Sequence, residues 1–110
     1  MNVNALLVDT LDSLLPTADG VYKGSATEYI VFNYTAIPAD FGDDDAAHYR
    51  YLVEVELNTP IEKNTRAYRQ EITRRLVAAG FTRPIVTPNT DKNGQRYIFE
   101  CEIAGGADDG

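Results

Sequence analysis

Tyr49-Arg50-Tyr51-Leu52-Val53-Glu54-Val55-Glu56-Leu57-Asn58-Thr59-Pro60-Ile61-Glu62 is the stretch on which the reading of this chain turns. From Tyr49 to Leu57 every odd position is apolar or aromatic, and three of the four even ones are charged. That is the period-2 pattern of a strand buried on one side. Helix-start signals follow at once: Thr59 as N-cap, Pro60 with its φ already set for the first helical position, and Glu62 completing a capping box. Gly80 is expected to close this helix, because glycine enters the left-handed C′ conformation without a Cβ penalty, and Phe81 to fold back on the last turn. On a helical wheel Ile61, Thr65, Tyr68, Ile72, Leu76 and Ala79 form one stripe, expected to lie on the sheet. Lys63, Arg66, Gln70 and Arg74 fall on the opposite, outward side.

Outward from this unit the chain reads as helix, strands, helix, hairpin. Val3, Leu6, Leu7, Leu11, Leu14 and Leu15 recur at helical spacing, so residues 2–15 are expected to form an amphipathic helix ended by Pro16. Thr17 to Gly24 is turn-like, with a short extended piece at Val21-Tyr22. Glu28 to Thr35 has the β-branched and aromatic content of a strand. Arg83 to Thr87 and Arg96 to Ile103 form two further strands, joined through Asn93-Gly94, which is expected to supply the positive φ values of a hairpin turn. The sum is one α+β domain over residues 1–104, a mostly antiparallel sheet of four to five strands with two helices on one face. Residues 105–110, glycine-rich and acidic, are expected to be a disordered tail.

At 110 residues and 44% hydrophobic, the chain has material for one modest core. It contains no apolar run of membrane-spanning length and opens without the basic and apolar regions of a secretion signal, so a soluble intracellular protein is expected, with no membrane partner. The single cysteine, Cys101, rules out an intramolecular disulfide and any multi-cysteine zinc cage. The net charge of −7 argues against a general nucleic-acid binder. It is also unevenly spread. Pro60 to Arg83 holds six bases against two acids, a local +4, and the remainder holds four against fifteen, which is −11.

Several constellations bear weighing for chemistry. Asn89-Thr90-Asp91-Lys92-Asn93-Gly94 with Glu100 fits a calcium loop in which Asn89, Asp91, Asn93 and Glu100 would be the ligands. Such a loop belongs between two helices, whereas Ile85-Val86 and Tyr97-Ile98-Phe99 flank this one as strands, so a plain hairpin is favoured. Asp40, Asp43, Asp44 and Asp45 lie in a loop too acidic to pack; a solvated loop is preferred over a cation site. Glu54 with Glu56, and Glu100 with Glu102, share strand faces and would suit acid/base work only if desolvated. The simpler expectation is a wet, acidic outer sheet face. Cys101 alternates in phase with Tyr97, Phe99 and Ile103 and so points into the core, while the lone histidine, His48, sits beside the acidic loop. The tyrosines suit a core and an interface better than a base-stacking platform, since their strands carry Glu and not interleaved bases. Neither a catalytic set nor a cofactor is expected.

Taken in order, residues 3–103 resemble the small tail-terminator, or tail-completion, proteins of long-tailed bacteriophages and prophages, some of them termed minor capsid proteins. The likeness lies in Leu6-Leu7-Val8-Asp9-Thr10-Leu11, Tyr29-Ile30-Val31-Phe32-Asn33-Tyr34, Pro38 to Asp45, Tyr49 to Leu57, Leu76-Val77-Ala78-Ala79-Gly80-Phe81 and Arg96-Tyr97-Ile98-Phe99-Glu100. The resemblance implies a non-enzymatic virion protein, made in the bacterial cytoplasm and located in the tail. It would form a homo-oligomeric ring, typically hexameric, that caps the tail tube and offers the head its docking surface. It also implies helices packed on one side of a sheet, and the tail-tube and head-connector proteins as partners. Head-tail joining and head-closure proteins are close alternatives. A small acidic interaction module, an inhibitor mimicking nucleic acid, and a metal-dependent regulator are alternatives of other classes. A ring needs one patch to meet a different patch on the next copy, and Lys63, Arg66 and Arg74 against Asp40, Asp43, Asp44 and Asp45 are the candidate contacts.

Overall fold

The computed structural model describes residues 2–38 and 48–105. Seven elements follow one another: α1 (Val3–Leu11), β1 (Thr17–Asp19), β2 (Tyr29–Pro38), β3 (Tyr49–Thr59), α2 (Arg66–Ala78), β4 (Ile85–Pro88) and β5 (Gln95–Gly105). The strands form one sheet in the order β1-β2-β3-β5-β4, antiparallel except for the parallel β1–β2 pair. This is the expected α+β fold with a mostly antiparallel sheet.

The period-2 reading of β3 holds from Tyr49 to Leu57 and gives way at Asn58 and Thr59, which are both buried. Tyr51, Val53, Val55 and Leu57 are buried, and Leu52 and Glu54 between them are exposed. Their cross-strand partners place Phe32 and Ile30 of β2, and Phe99, Cys101 and Ile103 of β5, on the same inner face. Val3, Leu7 and Leu11 of α1 and Ile72 and Leu76 of α2 close this face in one continuous core, so both helices cover the same side. The Arg75 guanidinium joins the helices, donating from Nη1 to the Ser13 hydroxyl at 2.8 Å and to the Thr10 carbonyl at 3.2 Å.

The expected helix start at Thr59-Pro60-Glu62 is corrected by the sheet. Thr59 is still strand, paired with Gln95, and α2 begins only at Arg66. The backbone between them is held by another residue's side chain: the Gln95 amide donates to the carbonyls of Pro60 (3.3 Å), Ile61 (3.0 Å) and Lys63. With those carbonyls partnered from β5, the segment forms a single turn, closed by the Lys63 N–H on the Pro60 carbonyl at 3.2 Å, instead of a helix. Ile61, expected on the packing stripe, is 51% exposed. Thr65 is the N-cap residue and buried, but its hydroxyl accepts from Arg69 Nε, and the Asn64 side chain takes the Arg66 N–H instead. Tyr68, Ile72, Leu76 and Ala79 lie on the core side as expected.

The far end of α2 closes as the sequence indicates. Gly80 has φ +105°, its N–H donates to the Val77 carbonyl, and the Phe81 N–H reaches back to Leu76, the paired bonds of a Schellman motif. Phe81 is 3% exposed and seals the turn.

Four further expectations shift. Helix α1 stops at Leu11, where the Asp12 carboxylate turns to accept the Thr17 N–H, although Leu15 stays in the core. The extended piece is Thr17–Asp19, not Val21-Tyr22. It is a three-residue parallel strand bracketed by bonds from the Ile30 N–H to Pro16 and from the Gly20 N–H to Phe32. The β4–β5 hairpin exists, yet neither Asn93 nor Gly94 has positive φ. Asp91 makes the turn by accepting the Asn93 N–H on its carboxylate, and Gly94 is needed for space: a Cβ there would lie 2.7 Å from the Thr59 carbonyl oxygen. Gly105, assigned to the tail, is the last residue of β5; residues 106–110 and the acidic stretch Asp40 to Asp45 lie outside the described residues.

Candidate functional site

Helix α2 buries one stripe and presents its other side to water, and that side meets the edge of the sheet at β4. Between them runs an open groove of about 940 Å³, rimmed by Arg66, Arg69, Arg74 and Arg83 and floored by Val77, Ala78 and Val86. Arg66 and Arg69 come from the first turn of the helix and Arg74 from the third. Arg83 is brought opposite them by the reversal at Gly80. Arg69 is fixed in place: Nε donates to Thr65 Oγ1 at 3.1 Å, and the guanidinium lies 4.7 Å above the Tyr97 ring centroid.

The four arginines differ in what neutralises them. Arg74 is bound in bidentate fashion by Glu71, at 2.9 Å and 2.6 Å, and Arg75 shares the same carboxylate at 2.8 Å. These hydrogen bonds hold the Glu71 carboxyl down at about 2 and raise Arg74 from its ordinary value. Among the described residues, Arg66, Arg69 and Arg83 have no carboxylate within ion-pair distance. Arg66 and Arg69 moreover occupy the first turn of α2, which contains no acidic residue. A positive charge there opposes the helix dipole by roughly 0.3–1 kcal/mol.

Of the residues singled out from the sequence, Arg66 and Arg74 lie on this groove, while Lys63 does not. Lys63 precedes the helix, pairs with Glu28 at 3.5 Å and sits 5.0 Å over the Tyr68 ring, whose hydroxyl donates to the same Glu28 carboxylate at 2.6 Å. That bond, with some burial, raises the Tyr68 hydroxyl above its ordinary pKa. Arg69 and Arg83 were not anticipated. Arg69 could have been read from its i+3 spacing to Arg66, but Arg83 is placed by the fold of the following turn.

The calcium-type set does not converge. Asn89, Asp91 and Asn93 belong to the hairpin, whereas Glu100 lies well up β5, opposite Glu54 and Ile85. At ~3.3 Å per residue, the six positions from Gly94 to Glu100 carry it about 20 Å from the turn. Among the described residues no group of three or more His, Cys, Asp or Glu is placed to hold a metal. Glu54 and Glu100 do face each other directly across β3 and β5, on the outer side of the sheet, and both are exposed. Their neighbours Glu56 and Glu102 are paired with Arg96 (2.7 Å) and Arg50 (3.5 Å). Cys101 is buried in the core, and burial, with Glu102 nearby, pushes its thiol up to about 12. It stands four positions along β5 from Gly105, the partner of Tyr49, so exposed His48 is far from contact. Among the tyrosines, Tyr51 is fully buried and Tyr34, Tyr49, Tyr68 and Tyr97 pack against the core. No helix among the described residues is long and apolar enough to cross a membrane.

The sequence matches no protein-family model and no curated protein. Solved structures do share its fold. One superposes with a TM-score of 0.64 over 96% of this chain and 93% of its own length, at 16% identity. At that identity the likeness speaks for the fold alone.

Proposed function

We propose that this chain is a structural virion protein, a tail-terminator or tail-completion protein that forms a ring on the head-proximal end of a bacteriophage tail. The observation that carries the reading is the layout of the chain: a single sheet with both helices on one face, from Val3 to Gly105. That is the arrangement implied by the resemblance described above. The surface supports it. A cyclic ring of identical subunits needs two different, mutually complementary patches on each copy. This chain carries guanidinium groups on the helix side, on α2 and at Arg83 ahead of β4, and exposed carboxylates on the outer sheet face.

In this role the residues act by contact, and no cofactor or bond-making step is involved. The partners are further copies of the chain, the tail-tube protein below and the head connector above, and the protein resides in the tail of the virion after synthesis in the host cytoplasm. Electron microscopy of the purified protein mixed with tail tubes and filled heads from the same phage tests this. Rings capping one end of the tubes are expected. Attachment to the connectors of filled heads, with bare tubes, would move the role to head-tail joining. Dispersed monomers that touch neither would overturn it.

A further inference from the structure

We propose that the groove between α2 and β4 receives the acidic segment Asp40 to Asp45 of a second copy of this chain. This deepens the ring reading and rests on it for its biological sense, but the contact itself follows from charge, shape and reach.

The groove is an unmet demand for negative charge. Arg66, Arg69 and Arg83 lack carboxylate partners among the described residues, and the first two also face the positive end of a helix. Its floor, Val77 at 40% and Val86 at 37% exposure, is apolar. The fitting ligand is therefore polyanionic and carries one apolar anchor. Asp40-Phe41-Gly42-Asp43-Asp44-Asp45 has that composition: four carboxylates for the rim and one aromatic ring for the floor. A nucleic-acid strand would also be anionic, but the rest of the chain carries a strong negative excess that repels it.

Reach makes the contact with the Arg66–Arg69 end of the groove intermolecular. Pro38 and Tyr49 pair at the end of the sheet beside Gly105, and the chain has ten Cα steps from Pro38 to His48 in which to go out and back. Five steps extend at most about 18 Å. The Arg69 guanidinium lies on Tyr97, eight residues down β5 from Gly105, or about 26 Å at ~3.3 Å per residue. The segment therefore falls short of its own Arg69 by roughly 8 Å, more than an aspartate side chain spans. A second copy has no such tether. Because groove and segment are different patches, the contact is heterologous and propagates from copy to copy.

A charge exchange tests this. The variant Arg66→Glu/Arg69→Glu/Arg83→Glu and the variant Asp40→Lys/Asp43→Lys/Asp44→Lys/Asp45→Lys are purified separately and then mixed, with native mass spectrometry as the readout. Each alone is expected to lose the wild-type oligomer, and the mixture to regain it, since each reversed groove then meets a reversed segment. Loss in both with no recovery on mixing overturns the contact, as does undiminished assembly of either variant alone. A peptide of residues 38–47 titrated into the wild-type protein gives a second readout that does not depend on the variants folding. NMR shifts at Arg66, Arg69 and Arg83 are expected, with binding weakened about tenfold or more between low and high salt. Shifts confined to other residues, or a polynucleotide that binds the groove while the peptide does not, overturn the proposal. If the peptide binds the groove but no rings or tail attachment form, the groove assignment stands and the tail-terminator reading falls.

Discussion

Replacing Gln95 probes the device that overrides the helix-start signal of the sequence. Its amide nitrogen has two hydrogens, shared among the carbonyls of Pro60, Ile61 and Lys63, and so fastens the β3–α2 connection to the start of β5. Removing it in Gln95→Ala forfeits about two net hydrogen bonds at roughly 0.5–1.5 kcal/mol each, or about 1–3 kcal/mol. For a domain near this size, each kcal/mol lowers Tm by roughly 4–8 °C. Gln95→Glu is the sharper variant. It keeps the shape but, ionised at neutral pH, aims an acceptor-only carboxylate at three carbonyl oxygens. The expected order of thermal stability is therefore wild type, then Gln95→Ala, then Gln95→Glu. Circular dichroism melts at pH 7 measure it, and wild-type stability in Gln95→Glu would refute the hydrogen-bonding account, since packing alone would be preserved.

Gly94→Ala should lower stability by about 1–3 kcal/mol through overpacking against the Thr59 carbonyl, read by urea denaturation; an unchanged midpoint would show that the hairpin yields without cost. Glu71 is held down at about 2 from an ordinary 4.5, so its stabilising contribution is present above 4.5 and is lost as pH falls toward 2. The Tm gap between wild type and Glu71→Gln should stay constant above about pH 5 and close on acidification, whereas a gap independent of pH would contradict the ion-pair assignment. Cys101, buried and with its thiol pushed up to about 12, should react with a thiol reagent orders of magnitude more slowly in the folded protein than in urea; equal rates would mean that the β5 interior is open.

The parts of the fold legible in the sequence are those coded by local period. The alternation from Tyr49 to Leu57 appears as the buried and exposed faces of β3, and Gly80-Phe81 closes α2 as read. What was misread depends on partners distant in sequence. Thr59, Pro60 and Glu62 form a local helix-start signature, but the residue that decides their conformation is Gln95, on another strand. Thr17–Asp19 has no strand pattern of its own and is extended because β2 offers it an edge. The groove was half visible. Arg66 and Arg74 were evident on the helix wheel, while Lys63 was misplaced with the helix start, and Arg83 joins only through the turn into β4.

The proposed ring closes through unlike, oppositely charged surfaces. Sedimentation velocity on the wild-type protein at low and high salt tests this most directly. A closed oligomer of single defined size at low salt, dissociating toward monomer as salt screens the contact, is the predicted result. A monomer at every salt concentration, or an oligomer indifferent to salt, would contradict it.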